Sequence, residues 1–199
     1  LNSSFYHQPS RETFEGWRKK TPAGFVFSVK ASRYITHNKK LHDAKDATDY
    51  CIESAEGLGK KLGPILFQMP PAWQINLERL ESFLKLLPRR RQCTFEFRNP
   101  SWMAQETYAL LRKYNRAFCI YELAGYESPH EVTADFIYIR LHGPSVFKYS
   151  GNYSKRQLRQ WAAEINHWRD RVKNIYVYFD NDAHGYAPKN ALTLKELIS

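Results

Sequence analysis

The sequence predicts an α/β fold of parallel strands, a (β/α)8 barrel of the TIM type. Seven short segments rich in Val, Ile, Phe and Tyr alternate with amphipathic stretches whose apolar residues fall three and four apart. That alternation is the pattern of βα units and a parallel sheet. No GxGxxG follows a strand segment, so a dinucleotide fold lacks its fingerprint.

The predicted strands are 1–6, 25–31, 64–69, 93–98, 117–122, 136–142 and 175–181. The first helix, 10–20, opens on Ser10 after Pro9, a capping residue in the right place. The second carries Leu41, Ala44, Ala47, Cys51, Ala55 and Leu58 on one face. The third carries Leu77, Leu80, Phe83, Leu84 and Leu87 and is stopped by Pro88. A fourth begins near Ser101 and carries Leu110, Leu111 and Tyr114. A long helix carries Leu158, Trp161, Ala162, Ile165 and Trp168, which makes both tryptophans core residues. The last helix spans 190–198.

A chain of 199 residues suits one domain with a substantial core. A barrel of this type has about 250 residues, so one βα unit of roughly 40–50 residues would complete eight strands. Leu1 is not an initiator Met, and residues 1–6 read as the middle or end of a strand. The expectation is a single barrel domain over 1–199 that lacks its first strand and helix. There is no linker, low-complexity tract or second domain in this reading.

No apolar run is long enough to span a bilayer, which argues against a membrane partner. Cys51, Cys93 and Cys119 each sit in an apolar segment without CxxC or zinc spacing, as reduced core thiols of a cytoplasmic protein do. Thirty Lys and Arg against twenty Asp and Glu give a net charge of +10, which favours an anionic small molecule or nucleic acid as partner. Much of that excess lies on helix surfaces and in the run Arg89-Arg90-Arg91, where charge is ordinarily solvated. Oligomeric state does not follow from these residues.

Side chains alternate across a strand. Phe27 and Val29 oppose Ser28 and Lys30; Phe95 and Phe97 oppose Thr94, Glu96 and Arg98. Ile139 and Leu141 oppose Tyr138, Arg140 and His142; Val177 and Phe179 oppose Tyr178 and Asp180. Gln68 opposes Phe67 and Met69. In an α/β barrel the side facing the helices is apolar, so the polar set faces the lumen. Lys30, Gln68, Glu96, Arg98, Arg140, His142 and Asp180 also fall at C-terminal strand ends, where barrels of this type keep their active sites. The bland alternative is a structural ion-pair network, with Glu96 and Asp180 compensating Arg98 and Arg140.

At these residues the chain resembles the YecE-like family, domain of unknown function 72. The likeness is carried by Asn2-Ser3-Ser4-Phe5-Tyr6, Phe27-Ser28-Val29-Lys30-Ala31 with Ile35-Thr36-His37, and Gln68-Met69-Pro70-Pro71. It continues through Glu96-Phe97-Arg98 with Ser101-Trp102, Tyr138-Ile139-Arg140-Leu141-His142-Gly143, and Tyr178-Phe179-Asp180-Asn181 with Gly185 and Asn190-Ala191. The resemblance implies a TIM-type barrel that begins with a further strand and helix. It implies no established activity, and a likeness of the fold to metal-dependent barrel endonucleases is analogy.

Three functions fit. In the first, an enzyme applies acid–base chemistry to an anionic, phosphate-bearing substrate at the C-terminal face of the barrel. Lys30, Arg98 and Arg140 supply the cations, and Glu96 and His142 are the candidate acid–base groups. Gln68, Asp180 and Asn181 contact substrate or orient the cations; His37 reaches over from its loop or caps a helix beginning near Asn38; Trp102 is an aromatic wall or a packing residue. No cofactor is predicted. In the second, a divalent metal on Glu96, His142 and Asp180 hydrolyses phosphodiesters, against which stand three nearby cations and the lack of an HxH or HExxH pair. In the third, the chain binds nucleic acid without catalysis, through its charge and aromatics such as Tyr149, Tyr153, Trp161 and Trp168. Gly143-Pro144 offers loop amides to an anion, and 145–151 forms a lid or an ordinary surface connection.

Overall fold

A computed structural model of the chain describes residues 1–198. It divides into two compact units, Leu1–Arg116 and Ala117–Ser199. In the first unit β1 (Phe27–Lys30), β2 (Leu62–Gln68) and β3 (Cys93–Glu96) run parallel in that order. Its helices are α1 (Ser3–Tyr6), α2 (Arg11–Lys19), α3 (Lys45–Ala55), α4 (Leu77–Leu86) and α5 (Gln105–Lys113). In the second unit β4 (Ala117–Leu123), β6 (Phe136–Leu141) and β7 (Asn174–Phe179) are again parallel, and β5 (Tyr126–Glu127) pairs antiparallel with β4. Helices α6 (Lys155–Trp168) and α7 (Tyr186–Leu197) complete it. The fold class is that of the parallel α/β barrels, as the sequence predicts.

The caps explain several boundaries. The Ser10 hydroxyl accepts the Thr13 N–H at 3.4 Å and starts α2. Asn76 accepts the Arg79 N–H at 2.9 Å and starts α4, whose last turn gives way before Pro88. Ser154 and Gln157 form a capping box at the start of α6. Buried Arg116 donates to the carbonyls of Arg91 (2.6 Å) and Leu87 (2.9 Å), satisfying the turn between α4 and β3.

Residues 1–6 are not the predicted strand. Leu1 keeps part of that pairing, since its carbonyl accepts the Lys30 N–H at 3.1 Å. Beyond it the chain turns into α1, where the Ser4 hydroxyl lies 2.7 Å from the Lys30 carbonyl oxygen and 3.0 Å from that of Leu1. Such side-chain bonds offer the backbone an alternative to a ladder. The second helix begins at Lys45, not Leu41, because Lys40, Leu41 and Asp43 have φ of 47°, 66° and 44°. Leu41 is still buried, so its place in the apolar period records burial without helix. The fourth begins at Gln105: Asn99 accepts the Ser101 N–H and closes a separate turn at Pro100–Trp102. The hairpin to β5 turns through Ala124 and Gly125, with φ of 53° and 77°. A turn with two positive φ values is ordinarily announced by Asn-Gly or Asp-Gly, and Ala-Gly gives little warning.

The predicted alternation holds. Phe67 stacks on Phe95 with centroids 5.3 Å apart, and Phe83 of α4 meets Phe67 edge-on at 5.2 Å. Phe14 of α2 packs with Phe27 and Val29 in the same way. On the other face Ser28 bonds to the Pro64 carbonyl, and Thr94 and Glu96 are buried. In the second unit Tyr138 and Tyr178 lie side by side at 5.1 Å, on the face that also carries Arg140. All three cysteines are buried free thiols; burial pushes Cys51 up to about 11 and Cys93 to about 12. Trp161 and Trp168 are buried, as the helix stripe predicts. Among the described residues no helix is long and apolar enough to cross a membrane.

Phe95 joins two strands to α4 and is fully buried. Phe95→Ala is expected to cost about 3–5 kcal/mol in urea unfolding, and Phe95→Leu markedly less. Equal loss in both variants would mean that the ring is not packed as described.

Candidate functional site

Each unit carries its own group of strand-end polar residues. In the first, Glu96 ends β3 fully buried and is ion-paired with Arg98, two residues on along the same face. Gln68 stands beside Glu96 in register. Lys30 ends β1 with its ammonium 4.1 Å from the centre of the Phe5 ring, a cation–π contact. The His37 ring meets the same phenyl edge-on at 5.1 Å, and its Nδ1 lies 2.9 Å from the Thr36 hydroxyl. Burial, then Lys30 and Arg33, hold its pKa below the ordinary imidazole value, favouring the neutral ring. His37 caps no helix: it sits in a π-turn, Tyr34–Asn38, and α3 starts seven residues after Asn38, at Lys45.

In the second unit Arg140 ends β6 and donates through Nη2 to Asp180 Oδ2 at 2.5 Å. His142 Nδ1 lies 3.2 Å from the same oxygen. The backbone fixes this grouping: Arg140 is in register with Tyr178, and the Asp180 N–H donates to the Leu141 carbonyl at 2.8 Å. Tyr149 covers the His142 ring edge-on at 5.3 Å. His142 is 1% exposed, while Tyr149 is 50% exposed. The Asp180 carboxylate thus lies beside both the Arg140 guanidinium and the buried His142 imidazole.

Two candidates are fully buried. Trp102 is fully buried, stacks on Phe97 at 4.4 Å and donates its indole N–H to the Trp73 carbonyl at 2.8 Å. It packs and forms no wall. Asn181 is also fully buried; its amide donates to the Gly151 carbonyl (2.8 Å) and to Asn190 Oδ1 (2.9 Å). The Gly143 amide, offered by the sequence to an anion, donates to the Tyr153 hydroxyl at 3.1 Å. Among the described residues no three His, Cys, Asp or Glu side chains gather as metal ligands. Tyr153, Trp161 and Trp168 are buried, so they offer no stacking faces to nucleotides.

The sequence pattern of the family described as "Protein of unknown function DUF72" matches residues 1–199. The chain belongs to the DUF72 family. It is 25% identical to the UPF0759 protein YunF of Bacillus subtilis (strain 168), over all of this chain and 82% of that protein. A DUF72 family protein of Thermotoga maritima MSB8, solved as a crystal structure, superposes with a TM-score of 0.85 at 29% identity, over 98% of this chain and 81% of its own. A DUF72 family protein of Enterococcus faecalis V583 reaches 0.89 at 18% identity, over 99% and 82%. These likenesses carry the TIM-type fold, and the names attach no reaction to it.

One ionisable group of this DUF72 chain escapes the inner-face pattern. Glu122 of β4 is in register with Leu141 of β6, so it lies on the apolar side, toward α6. There it accepts hydrogen bonds from the Tyr153 hydroxyl and the Trp161 indole, beside a cavity of about 420 Å³ also lined by Glu127, His130 and Glu164. Burial raises its pKa above the ordinary carboxylate value; the two hydrogen bonds oppose that, and Glu127 adds to it. The fold thus favours the neutral carboxyl. Its contribution to stability is full below the ordinary carboxylate range and is lost as pH rises through the raised value. Glu122→Gln keeps the acceptor without the charge. It is expected to melt higher than the parent chain at neutral pH and to lose that advantage in acid. Thermal melts across about pH 4–8 read this directly, and a lower melting temperature at neutral pH contradicts it.

Proposed function

We propose that this chain is an enzyme that uses His142 as its acid–base group on an anionic, phosphate-bearing substrate. The observation that carries the reading is the shared Asp180 oxygen, 3.2 Å from His142 Nδ1 and 2.5 Å from Arg140 Nη2. In this reading Asp180 flanks the ring at Nδ1, and Nε2 is the nitrogen that takes and returns the proton. Arg140 pairs with Asp180 and offers its planar cation to an anionic group. The net charge of +10 supports an anionic partner. Lys30 and Arg98 are strand-end cations of the other unit. Glu96, paired with Arg98 and fully buried, neutralises that guanidinium in this reading and leaves the proton chemistry to His142.

The test begins with a thermal-shift panel of phosphorylated metabolites, with inorganic phosphate and sulfate alongside. A ligand present at about a hundred times its Kd stabilises by about 2.7 kcal/mol, enough to read as a melting shift. With the ligand found, His142→Gln is expected to bind it and lose turnover by about 10²–10⁴-fold. Asp180→Asn is expected to lose part of that rate and Arg140→Lys to weaken binding. Full turnover in His142→Gln, or a panel in which no phosphorylated compound outperforms sulfate, overturns the reading.

A further inference from the structure

His142 cannot meet a substrate in the arrangement seen, because it is 1% exposed beneath Tyr149. Tyr149 belongs to a loop of unusual construction. Its two ends are glycines with positive φ, Gly143 at 104° and Gly151 at 89°. They close against each other: a Cβ on Gly143 would lie 2.0 Å from the Ser150 carbonyl oxygen, and one on Gly151 3.2 Å from Pro144 and Ser145. Only glycine accepts both the backbone conformation and the approach.

Each end is also pinned to buried polar groups. The Gly143 N–H donates to the Tyr153 hydroxyl, which in turn bonds Glu122. The Gly151 carbonyl accepts from Asn181, within a chain of amides: Asn181 donates to Asn190, and Asn190 donates to Asn152 at 2.8 Å. Between these anchors the loop bonds to itself. Phe147 N–H donates to the Ser145 hydroxyl at 3.1 Å, and the Ser150 hydroxyl donates to the Phe147 carbonyl at 2.8 Å. Val146 and Phe147 are largely exposed. Toward the rest of the unit, Tyr149 lies on His142, and Val146 comes within 3.8 Å of where a Cβ would sit on Gly125.

We infer that residues 144–150 are a hinged lid whose latch is Tyr149, and that it swings away from His142 to admit substrate. The inference rests on the reading of His142 as the working group, and it adds how that group is gated. Fixed stems and a self-bonded tip confine the motion to the tip, as in enzymes whose loops open and close over a scaffold that stays still. When shut, the lid lays the Tyr149 ring over the imidazole, so Tyr149 also bounds the space a substrate must fill.

The lid is tested without a substrate, by the rate at which diethyl pyrocarbonate modifies His142 in the whole chain, read by mass spectrometry. Exposed His42 and His184 serve as internal references. Tyr149→Asn removes the ring and suits the left-handed backbone at that residue, where φ is 60°. It is expected to speed His142 modification about two- to tenfold, the range set by losing one edge-to-face aromatic pair, with both references unchanged. Tyr149→Phe keeps the parent rate. A disulfide between Gly125→Cys and Val146→Cys is expected to slow His142 when oxidised and to release it when reduced. Equal His142 rates in Tyr149→Asn and the parent chain, or in the oxidised and reduced staple, overturn the lid. Faster modification in Tyr149→Asn together with full turnover in His142→Gln would keep the lid and retire the acid–base role.

Discussion

An ionised side chain taken out of water must find its opposite charge, because the desolvation cost is several kcal/mol per ion. That constraint organises the strand ends of this chain. Glu96 has no solvent and takes Arg98; Asp180 takes Arg140 and borders His142. The pairings are local in space because strand register makes them so. Glu96 and Arg98 are two apart on one strand face, and Asp180 follows β7 where it flanks the end of β6. Glu96 sits fully buried against a guanidinium. A carboxylate that also borders a histidine sets a negative charge beside that ring. This separates Asp180 from Glu96, two residues that composition alone treats as equals.

How much of this was legible in the sequence depends on which physical rule wrote each feature. The faces of β3 and β6 were readable, since period-two alternation follows from backbone geometry and must hold wherever one side is packed by helices. Phe67, Phe83 and Phe95 meet as that rule demands. Helix starts were readable where a side chain makes them, at Ser10, and not where backbone dihedrals decide, as at Lys40 and Leu41. Residues 1–6 carry the composition of a strand, and one hydroxyl, Ser4, redirects them. Glu122 was passed over because it shares a face with Ile120 and Leu141, where the pattern expects a hydrocarbon. A carboxylate in an apolar period was the one signal that could have flagged it.

The site candidates divide along a related line. Lys30, Glu96, Arg98, Arg140, His142 and Asp180 owe their positions to strand register, which the sequence states. Trp102 and Asn181 owe theirs to turns. A tryptophan after Asn99-Pro100 is aimed inward by that turn, onto Phe97 and Trp73. Asn181 leaves β7 and is captured by Asn190 and Gly151, thirty residues away in one case and nine in the other. Such partners are invisible without coordinates. Yet the amide network is no neutral scaffold, for it holds one end of the loop that covers His142.

The energetics of that loop separate its parts. Freeing either stem gives up a buried hydrogen bond, Gly143 N–H to the Tyr153 hydroxyl at one end and the Asn181 amide to the Gly151 carbonyl at the other, each worth about 0.5–1.5 kcal/mol. Lifting the tip gives up one edge-to-face aromatic contact, about 0.5–1.5 kcal/mol, while Val146 and Phe147 are already in water. The motion that keeps both stem bonds is therefore the one that uncovers the imidazole and leaves Arg140 and Asp180 where the strands put them. A structural histidine would need no such asymmetry. A working one does, because its carboxylate partner must stay fixed while its other nitrogen is exposed and covered in turn.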